Sequence, residues 1–138
     1  SSPRHPRLLR NLFGNRPEQW SSRLQGLDRY RATINTMTRM RYCDVSGRID
    51  FDAKGVPGTQ KPGWYPWFSV PGMRRRYIRV VCGHWSALGR FTGLGVHAID
   101  TGCVWGGKLT ALRLDSEEPQ YVTVSAEPHR KRPPGGED

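Results

Sequence analysis

The sequence lacks long hydrophobic runs and contains few cysteines. Its apolar runs are only a few residues long, whereas a membrane-spanning helix needs roughly 20, and no signal-type apolar stretch follows the basic first residues. The three cysteines, Cys43, Cys82 and Cys103, cannot all pair, and an odd number in so short a chain favours reduced thiols over a disulfide framework. These features predict a cytoplasmic protein with no membrane partner.

Acidic residues are scarce relative to basic ones. The 138 residues include 22 Lys and Arg against 12 Asp and Glu, so the formal net charge is +10, which favours an anionic partner. Five Trp, five Tyr and four Phe provide material for a core. By composition, residues 1–11 are predicted to be a poorly ordered basic stretch and residues 128–138 a disordered tail. The predicted folded domain is therefore residues 12–127.

The first half of this domain is predicted to contain helices and a hairpin. Apolar residues recur at steps of three and four from Leu27 to Met40, which predicts an amphipathic helix. A shorter helix is expected at Pro17–Gln25. Ser46-Gly47 lies between two short β-rich runs and predicts a hairpin, while the prolines of residues 64–72 exclude a central strand but allow an extended edge or a lid. The predicted buried stripe of the longer helix is Leu27, Tyr30, Ile34, Met37 and Met40.

The last third of the chain is β-rich. Four short runs of β-forming residues alternate with glycine-rich or acidic turns, and their closeness in sequence predicts that they form one sheet. Helices followed by strands predict a mixed α/β (α+β) fold. The four predicted strands are Tyr77–Cys82, Gly95–Asp100, Lys108–Leu114 and Tyr121–Val124.

Five residues are candidates for a functional site. His84 follows a predicted strand and a glycine, so its imidazole is expected at a strand end, where metal and phosphate sites are commonly built; the alternative is a histidine at the edge of the core. Trp85 and Trp105 lie beside glycines and either stack on a nucleobase or fill the core. Arg39 and Arg41 either bind phosphate or stabilise the end of a helix.

Familiar catalytic and metal-binding signatures are missing. The chain has no carboxylate pair placed for acid–base chemistry, no glycine-rich phosphate loop and no Gly-x-Ser-x-Gly elbow. A zinc site made of Cys82, His84 and Cys103 would lack the usual ligand spacing, so packed thiols are the favoured interpretation.

Several separated motifs resemble one family. The segments Val81-Cys82-Gly83-His84-Trp85-Ser86-Ala87-Leu88 and Gly95 to Thr110, which contains Asp100-Thr101-Gly102-Cys103-Val104-Trp105-Gly106-Gly107, resemble the C-terminal half of bacterial symmetrical diadenosine tetraphosphatases. Residues 35–43 and 66–72 agree as well, in the same order. The likeness covers roughly residues 12–124, which makes it much more specific than a Gly-His-Trp triplet alone.

The resemblance implies a calcineurin-like metallophosphoesterase. That fold is a two-sheet sandwich flanked by helices, and such enzymes hydrolyse diadenosine tetraphosphate into two ADP with a pair of divalent metals, usually Mn²⁺ or Co²⁺. Some members also remove nucleoside-tetraphosphate caps from RNA. The late Gly-His motif of the family supplies a metal ligand, which here falls on His84. The dinucleotide is accordingly expected to meet Arg39, Arg41, Trp85 and Trp105.

The chain departs from the family by what it omits. The Gly-Asp-x-His-Gly, Gly-Asp-x-x-x-Arg-Gly and Gly-Asn-His-Asp/Glu motifs do not occur in it, nor does a later His-Ala-Gly. Residues 12–127 are therefore expected to be the C-terminal part of the domain, to need the missing N-terminal half as a partner, and to be inactive alone. Two other hypotheses stay open: a basic RNA-binding module, and a phosphoprotein phosphatase of the same fold.

Overall fold

A computed structural model of the chain describes residues 9–73 and 78–127. The predicted tail at residues 128–138, and residues 1–8 of the predicted basic stretch, lie outside the described residues. The chain divides into two compact units. The first comprises Ser1–Ala53 with Gln60–Met73, and the second comprises Lys54–Thr59 with Arg74–Asp138.

The first unit contains the predicted long helix, α1, at Gly26–Thr38. Its existence is confirmed, but the predicted buried stripe is wrong, because Tyr30 and Met37 are exposed and the helix buries Ala32 and Asn35 instead. Ala32 and Asn35 lie on the buried side of the helix. On that side Asn35 Nδ2 donates a hydrogen bond to the carbonyl oxygen of Gly14 at 3.0 Å. The chain before the helix therefore selects which face is buried.

A three-stranded antiparallel sheet completes the first unit. Its strands are β1 (Tyr42–Cys43), β2 (Ile49–Asp50) and β3 (Tyr65–Pro66), in the order β2-β1-β3. The predicted hairpin is confirmed as β1–β2, and Pro66 lies in an edge strand, as its missing N–H requires. The core of this unit includes Tyr42, Cys43, Ile49 and Phe68.

The Asp44 carboxylate fixes the β1–β2 turn. Its Oδ1 accepts hydrogen bonds from the Ser46 N–H at 2.9 Å, the Ser46 hydroxyl at 2.6 Å and the Arg48 N–H at 3.0 Å. The hydroxyl bond, together with the two main-chain bonds and the charge of Arg48, lowers the pKa of Asp44 below its usual 3.8. The turn is thus built around an ionised side chain.

The helix predicted at Pro17–Gln25 does not form. Gln19 instead makes a β-bridge with Arg48, and the Ile49 N–H donates to the carbonyl oxygen of Glu18 at 2.8 Å. The main-chain polar groups of this segment find partners beside β2, which removes the need for helical hydrogen bonds.

The second unit holds two further three-stranded sheets. In the first, β4 (Val80–Cys82) is parallel to β6 (Val96–Ala98), which is antiparallel to β5 (Phe91–Gly93). The second sheet is antiparallel, with β7, β8 and β9 in sequence order. All four predicted strands are present but are divided between two sheets, and β5 was not predicted. The strands of the last sheet are β7 (Asp100–Thr101), β8 (Lys108–Arg113) and β9 (Gln120–Ser125).

A chain of hydrogen bonds joins the two sheets of this unit. The Tyr121 hydroxyl on β9 lies 2.7 Å from Nδ1 of the buried His97 on β6 and 2.6 Å from the Thr92 hydroxyl on β5. Trp85, Val96 and Ala98 form the buried apolar part of the same unit. Helix and sheets together confirm the mixed α/β class.

One face of the β8–β9 hairpin is apolar and open. Leu109 pairs with Val124, and Ala111 with Val122, so that their side chains share a face. Leu109, Val122 and Val124 are 61%, 65% and 61% exposed.

Within the described residues, no helix has the length and apolar content that crossing a bilayer requires.

Candidate active site

His84 lies just beyond the carboxyl end of β4. It is exposed, and its φ of +74° is in the left-handed region, which a residue with a Cβ rarely adopts. Such a conformation costs of order 1–3 kcal/mol and is often found at functional sites. The imidazole of His84 therefore lies at a strand end, on a residue whose backbone conformation is strained. Its role as a metal ligand stays a prediction.

The turn after β6 lies beside this histidine. Because β4 and β6 are parallel, their carboxyl ends meet at one edge of the sheet, and a Cβ on Gly83 would lie 3.7 Å from the Cβ of Asp100. The Asp100 Oδ1 accepts from the Gly102 N–H at 3.1 Å. The segments that carried the family resemblance therefore converge here.

The two predicted tryptophans have different surroundings. Trp85 is only 4% exposed, and its indole Nε1 donates to the carbonyl oxygen of Gly55 at 3.1 Å. This bond anchors the turn that carries His84. Because the Trp85 ring is buried, it has no open face on which a nucleobase could stack. Trp105 is half-buried, at the end of a 3₁₀ turn between Gly102 and Gly106, which both have left-handed backbones. Of the two rings, Trp105 is the more accessible to a ligand.

The two predicted arginines lie in the first unit, whereas His84, Trp85 and Trp105 lie in the second. The Arg39 guanidinium donates to Asn15 Oδ1 at 2.9 Å and to Asn35 Oδ1 at 3.0 Å, and it lies 4.6 Å from the Phe51 ring centroid. Arg41 is buried, and its carbonyl oxygen accepts from the Trp67 N–H. The Arg39 side chain therefore has structural partners and the Arg41 side chain is buried, and the contact of either with phosphate stays a prediction.

Whether the described residues could hold a metal ion depends on how their ligating side chains are grouped. The exposed imidazole of His84 is chemically suited to a divalent cation. Across residues 9–73 and 78–127, however, no three His, Cys, Asp or Glu side chains are grouped so that they could hold a metal ion. Burial also raises the pKa of the Cys82 thiol, which disfavours the thiolate that zinc would require.

Comparisons with known proteins identify relatives of this chain, although no protein-family model matches it. The symmetrical bis(5'-nucleosyl)-tetraphosphatase of Xanthomonas euvesicatoria pv. vesicatoria is 63% identical over 118 residues, which are 86% of this chain and 37% of that protein. The protein of the same name from Xanthomonas axonopodis pv. citri is 60% identical over 88% of this chain and 38% of its own length. The chain is thus similar to symmetrical bis(5'-nucleosyl)-tetraphosphatases over 86–88% of its own length.

A relative of lower identity matches the chain over the same share of its length. The symmetrical bis(5'-nucleosyl)-tetraphosphatase of Xylella fastidiosa is 57% identical over 86% of the chain and 40% of its own length. The chain thus spans less than half the length of these members of the symmetrical bis(5'-nucleosyl)-tetraphosphatase family.

Gly107 was not among the predicted site residues, yet its main chain closes the loop of residues 102–107 that contains Trp105. Its N–H donates to the carbonyl oxygen of Gly102 at 2.9 Å, and a Cβ built on it would lie 2.2 Å from the carbonyl oxygen of Thr101. The Gly-Gly pair in the sequence was the available signal. Only the structure reveals that the second glycine faces main-chain atoms.

Proposed function

We propose that this chain is the C-terminal part of a hydrolase that cleaves diadenosine tetraphosphate symmetrically into two ADP. The support is the 57–63% identity to proteins named for that activity, combined with the position of His84. Its left-handed backbone at the shared carboxyl ends of β4 and β6 is the observation that favours a site here over a histidine at the core edge. The proposed compartment is the cytoplasm.

In this proposal His84 is one ligand of a divalent metal pair, Mn²⁺ or Co²⁺. When bound, such metals supply Lewis-acid polarisation of phosphate and an activated water. The Trp85–Gly55 hydrogen bond holds the turn that carries the imidazole, so that His84 need not be ordered by the metal itself. Trp105 supplies a ring, and Arg39 and Arg41 supply positive charge, for the dinucleotide or a nucleoside-tetraphosphate cap on RNA.

The remaining ligands would come from a missing N-terminal half of the domain. Two surfaces support a partner of that kind: the open β8–β9 face, and the exposed stripe on α1 that includes Met37, which is 78% exposed. Apolar patches of this sort mark interaction surfaces. Alone, the chain is expected to release ADP far more slowly than about 1 per second, the lower end for ordinary enzymes.

The two other hypotheses have less support. A basic RNA-binding module draws on the +10 charge, but burial of Trp85 removes one of its two stacking rings. It would bind unrelated single strands without metal and with a steep dependence on salt. A phosphoprotein phosphatase of the same fold would instead release phosphate from phosphopeptides, and no residue of the described part favours it.

Variants of His84 in the chain joined to the family's N-terminal portion test the proposal. We expect His84→Ala to reduce metal content and to slow hydrolysis about a hundredfold, or about 3 kcal/mol in the barrier, because a metal ligand is lost. His84→Gly should lose activity equally while leaving stability unchanged or higher, because glycine relieves the left-handed strain.

The control is His84→Asn, since asparagine tolerates the same backbone but lacks the imidazole. It should be as stable as the wild type and nearly as inactive as His84→Ala. Full metal occupancy with near-normal turnover in any of the three variants would remove His84 from the site.

A further inference from the structure

The first unit contains a cavity that is lined by none of the residues assigned above to the proposed site. Its volume is about 270 Å³, and its lining includes the half-buried Trp64, whose ring centroid lies 5.7 Å from the guanidinium carbon of Arg48, another lining residue. The turn Lys61-Pro62-Gly63-Trp64 presents this ring: the Trp64 N–H donates to the Lys61 carbonyl oxygen at 3.2 Å, and Gly63 has a φ of +84°. Proline second and a left-handed glycine third are the preferences of a type II turn. The aromatic wall is therefore held by a rigid segment.

The cavity is acidic although the chain is basic. Glu18, Asp50 and Asp52 line it, against the two cations Arg48 and Lys61, whereas the chain as a whole carries +10. These carboxylates are not a metal cluster, since no three acidic, His or Cys side chains of the described residues are placed to hold an ion. The lining therefore carries one more negative than positive charge, which favours a neutral group that donates hydrogen bonds over a polyphosphate chain.

Asp50 is oriented by the main chain. Its Oδ1 accepts from the Asp52 N–H at 2.9 Å and the Ala53 N–H at 3.1 Å. In the described part of the chain Oδ2 makes no hydrogen bond. A carboxylate fixed through one oxygen offers the other as an acceptor of known orientation.

We propose that this cavity binds a nucleobase that carries an exocyclic amino group, with Trp64 as its stacking surface and Asp50 as the acceptor. Aromatic rings stack on any base, whereas a carboxylate distinguishes an amino group from a carbonyl. The choice of adenine rests on the proposed function, because both ends of that substrate are adenosines.

Titration of the chain with adenosine, which carries no phosphate or metal, tests the stacking surface. We expect saturable calorimetric binding with a Kd of about 1 mM or tighter. Trp64→Ala should weaken it about tenfold or more, and Trp64→Phe should retain most of it because a ring remains. The matched control is Trp20→Ala, since Trp20 is exposed and does not line the cavity; it should bind like the wild type.

Inosine tests the acceptor, because it has a carbonyl where adenosine has an amino group. Inosine should bind about tenfold more weakly than adenosine, since two acceptors would face each other. Asp50→Asn should reverse that preference: the main-chain bonds hold the amide oxygen in the place of Oδ1, so the amide nitrogen would face the ligand as a donor. Unfolding curves of the variants, measured alongside, are the control that shows whether the fold is kept.

Three results would overturn the proposal: no saturation up to about 10 mM adenosine, equal affinity for adenosine and inosine, or unchanged affinity in Trp64→Ala. Equal binding of pyrophosphate would overturn it too, since it would locate an anion site. None of these measurements needs hydrolysis. If adenosine binds through Trp64 while the longer enzyme does not cleave diadenosine tetraphosphate, only the proposed function fails; hydrolysis without adenosine binding refutes only the cavity.

Discussion

Replacing Gly107 by alanine should destabilise the second unit strongly. The new methyl group would lie 2.2 Å from the Thr101 carbonyl oxygen and 2.9 Å from that of Gly102, far inside van der Waals contact. Neither oxygen can turn away as the end of a flexible side chain could. The loop is also tied on both sides, because Gly107 donates to Gly102 and accepts from the Ala126 N–H at 3.0 Å. Relief of the clash must therefore disturb the main-chain hydrogen bonds that flank the ends of β7, β8 and β9.

The expected cost is about 3 kcal/mol, at the upper end of the usual range for overpacking. With an m-value of about 2 kcal/mol per molar urea, this lowers the unfolding midpoint by about 1.5 M. The assay is urea denaturation at low protein concentration, followed by tryptophan fluorescence. Gly83→Ala is the matched control: its Cβ meets only the Asp100 Cβ, at an ordinary 3.7 Å, so its midpoint should move by no more than about 0.3 M. If the two alanine variants unfold at the same urea concentration, the close approach at Gly107 does not exist.

Two further predictions concern ionisable side chains. Because hydrogen bonds lower the pKa of Asp44 in the folded chain, its contribution to stability is present above the unfolded pKa of about 3.9 and is lost as pH falls through the folded value. Asp44→Asn should thus lower the urea midpoint more at pH 7 than at pH 2, and an equal effect at both would contradict this. Burial raises the pKa of the Cys43 thiol to about 11, so its thiolate fraction at pH 8 is about a hundredfold below that of a thiol of pKa 9. Iodoacetamide, followed by peptide mass spectrometry, should therefore label Cys43 only on unfolding; rapid labelling of the folded chain would refute the burial.

Local patterns in the sequence predicted local structure well. The three- and four-residue spacing located α1 to within two residues at its C-terminus, Ser46-Gly47 located the hairpin, and Pro66 excluded a central strand. Each depends on interactions among near neighbours. The buried face of α1 does not, because Tyr30 and Met37 fit the periodicity while the Asn35–Gly14 contact decides what is covered. Sequence periodicity identifies a face but not its partner.

The candidate site was predicted unevenly for the same reason. The glycine before His84 indicated the strand end, but nothing in the sequence distinguishes Trp85, which is buried, from Trp105, which is not. The Trp64 cavity was missed because its walls come from residues far apart in the chain. The Lys61-Pro62-Gly63-Trp64 turn was the one local signal for it.

The Thr92–Tyr121–His97 chain has a consequence for where protons reside. The Tyr121 hydroxyl has a single proton to share between two neighbours. When Nδ1 of His97 carries no hydrogen, Tyr121 must donate to it and Thr92 must donate to Tyr121. When Nδ1 is protonated, that ring donates to Tyr121, whose own proton then turns towards Thr92. The presence or absence of a proton on Nδ1 in β6 therefore sets the direction of the hydrogen bond to Thr92 on β5, two hydrogen bonds away.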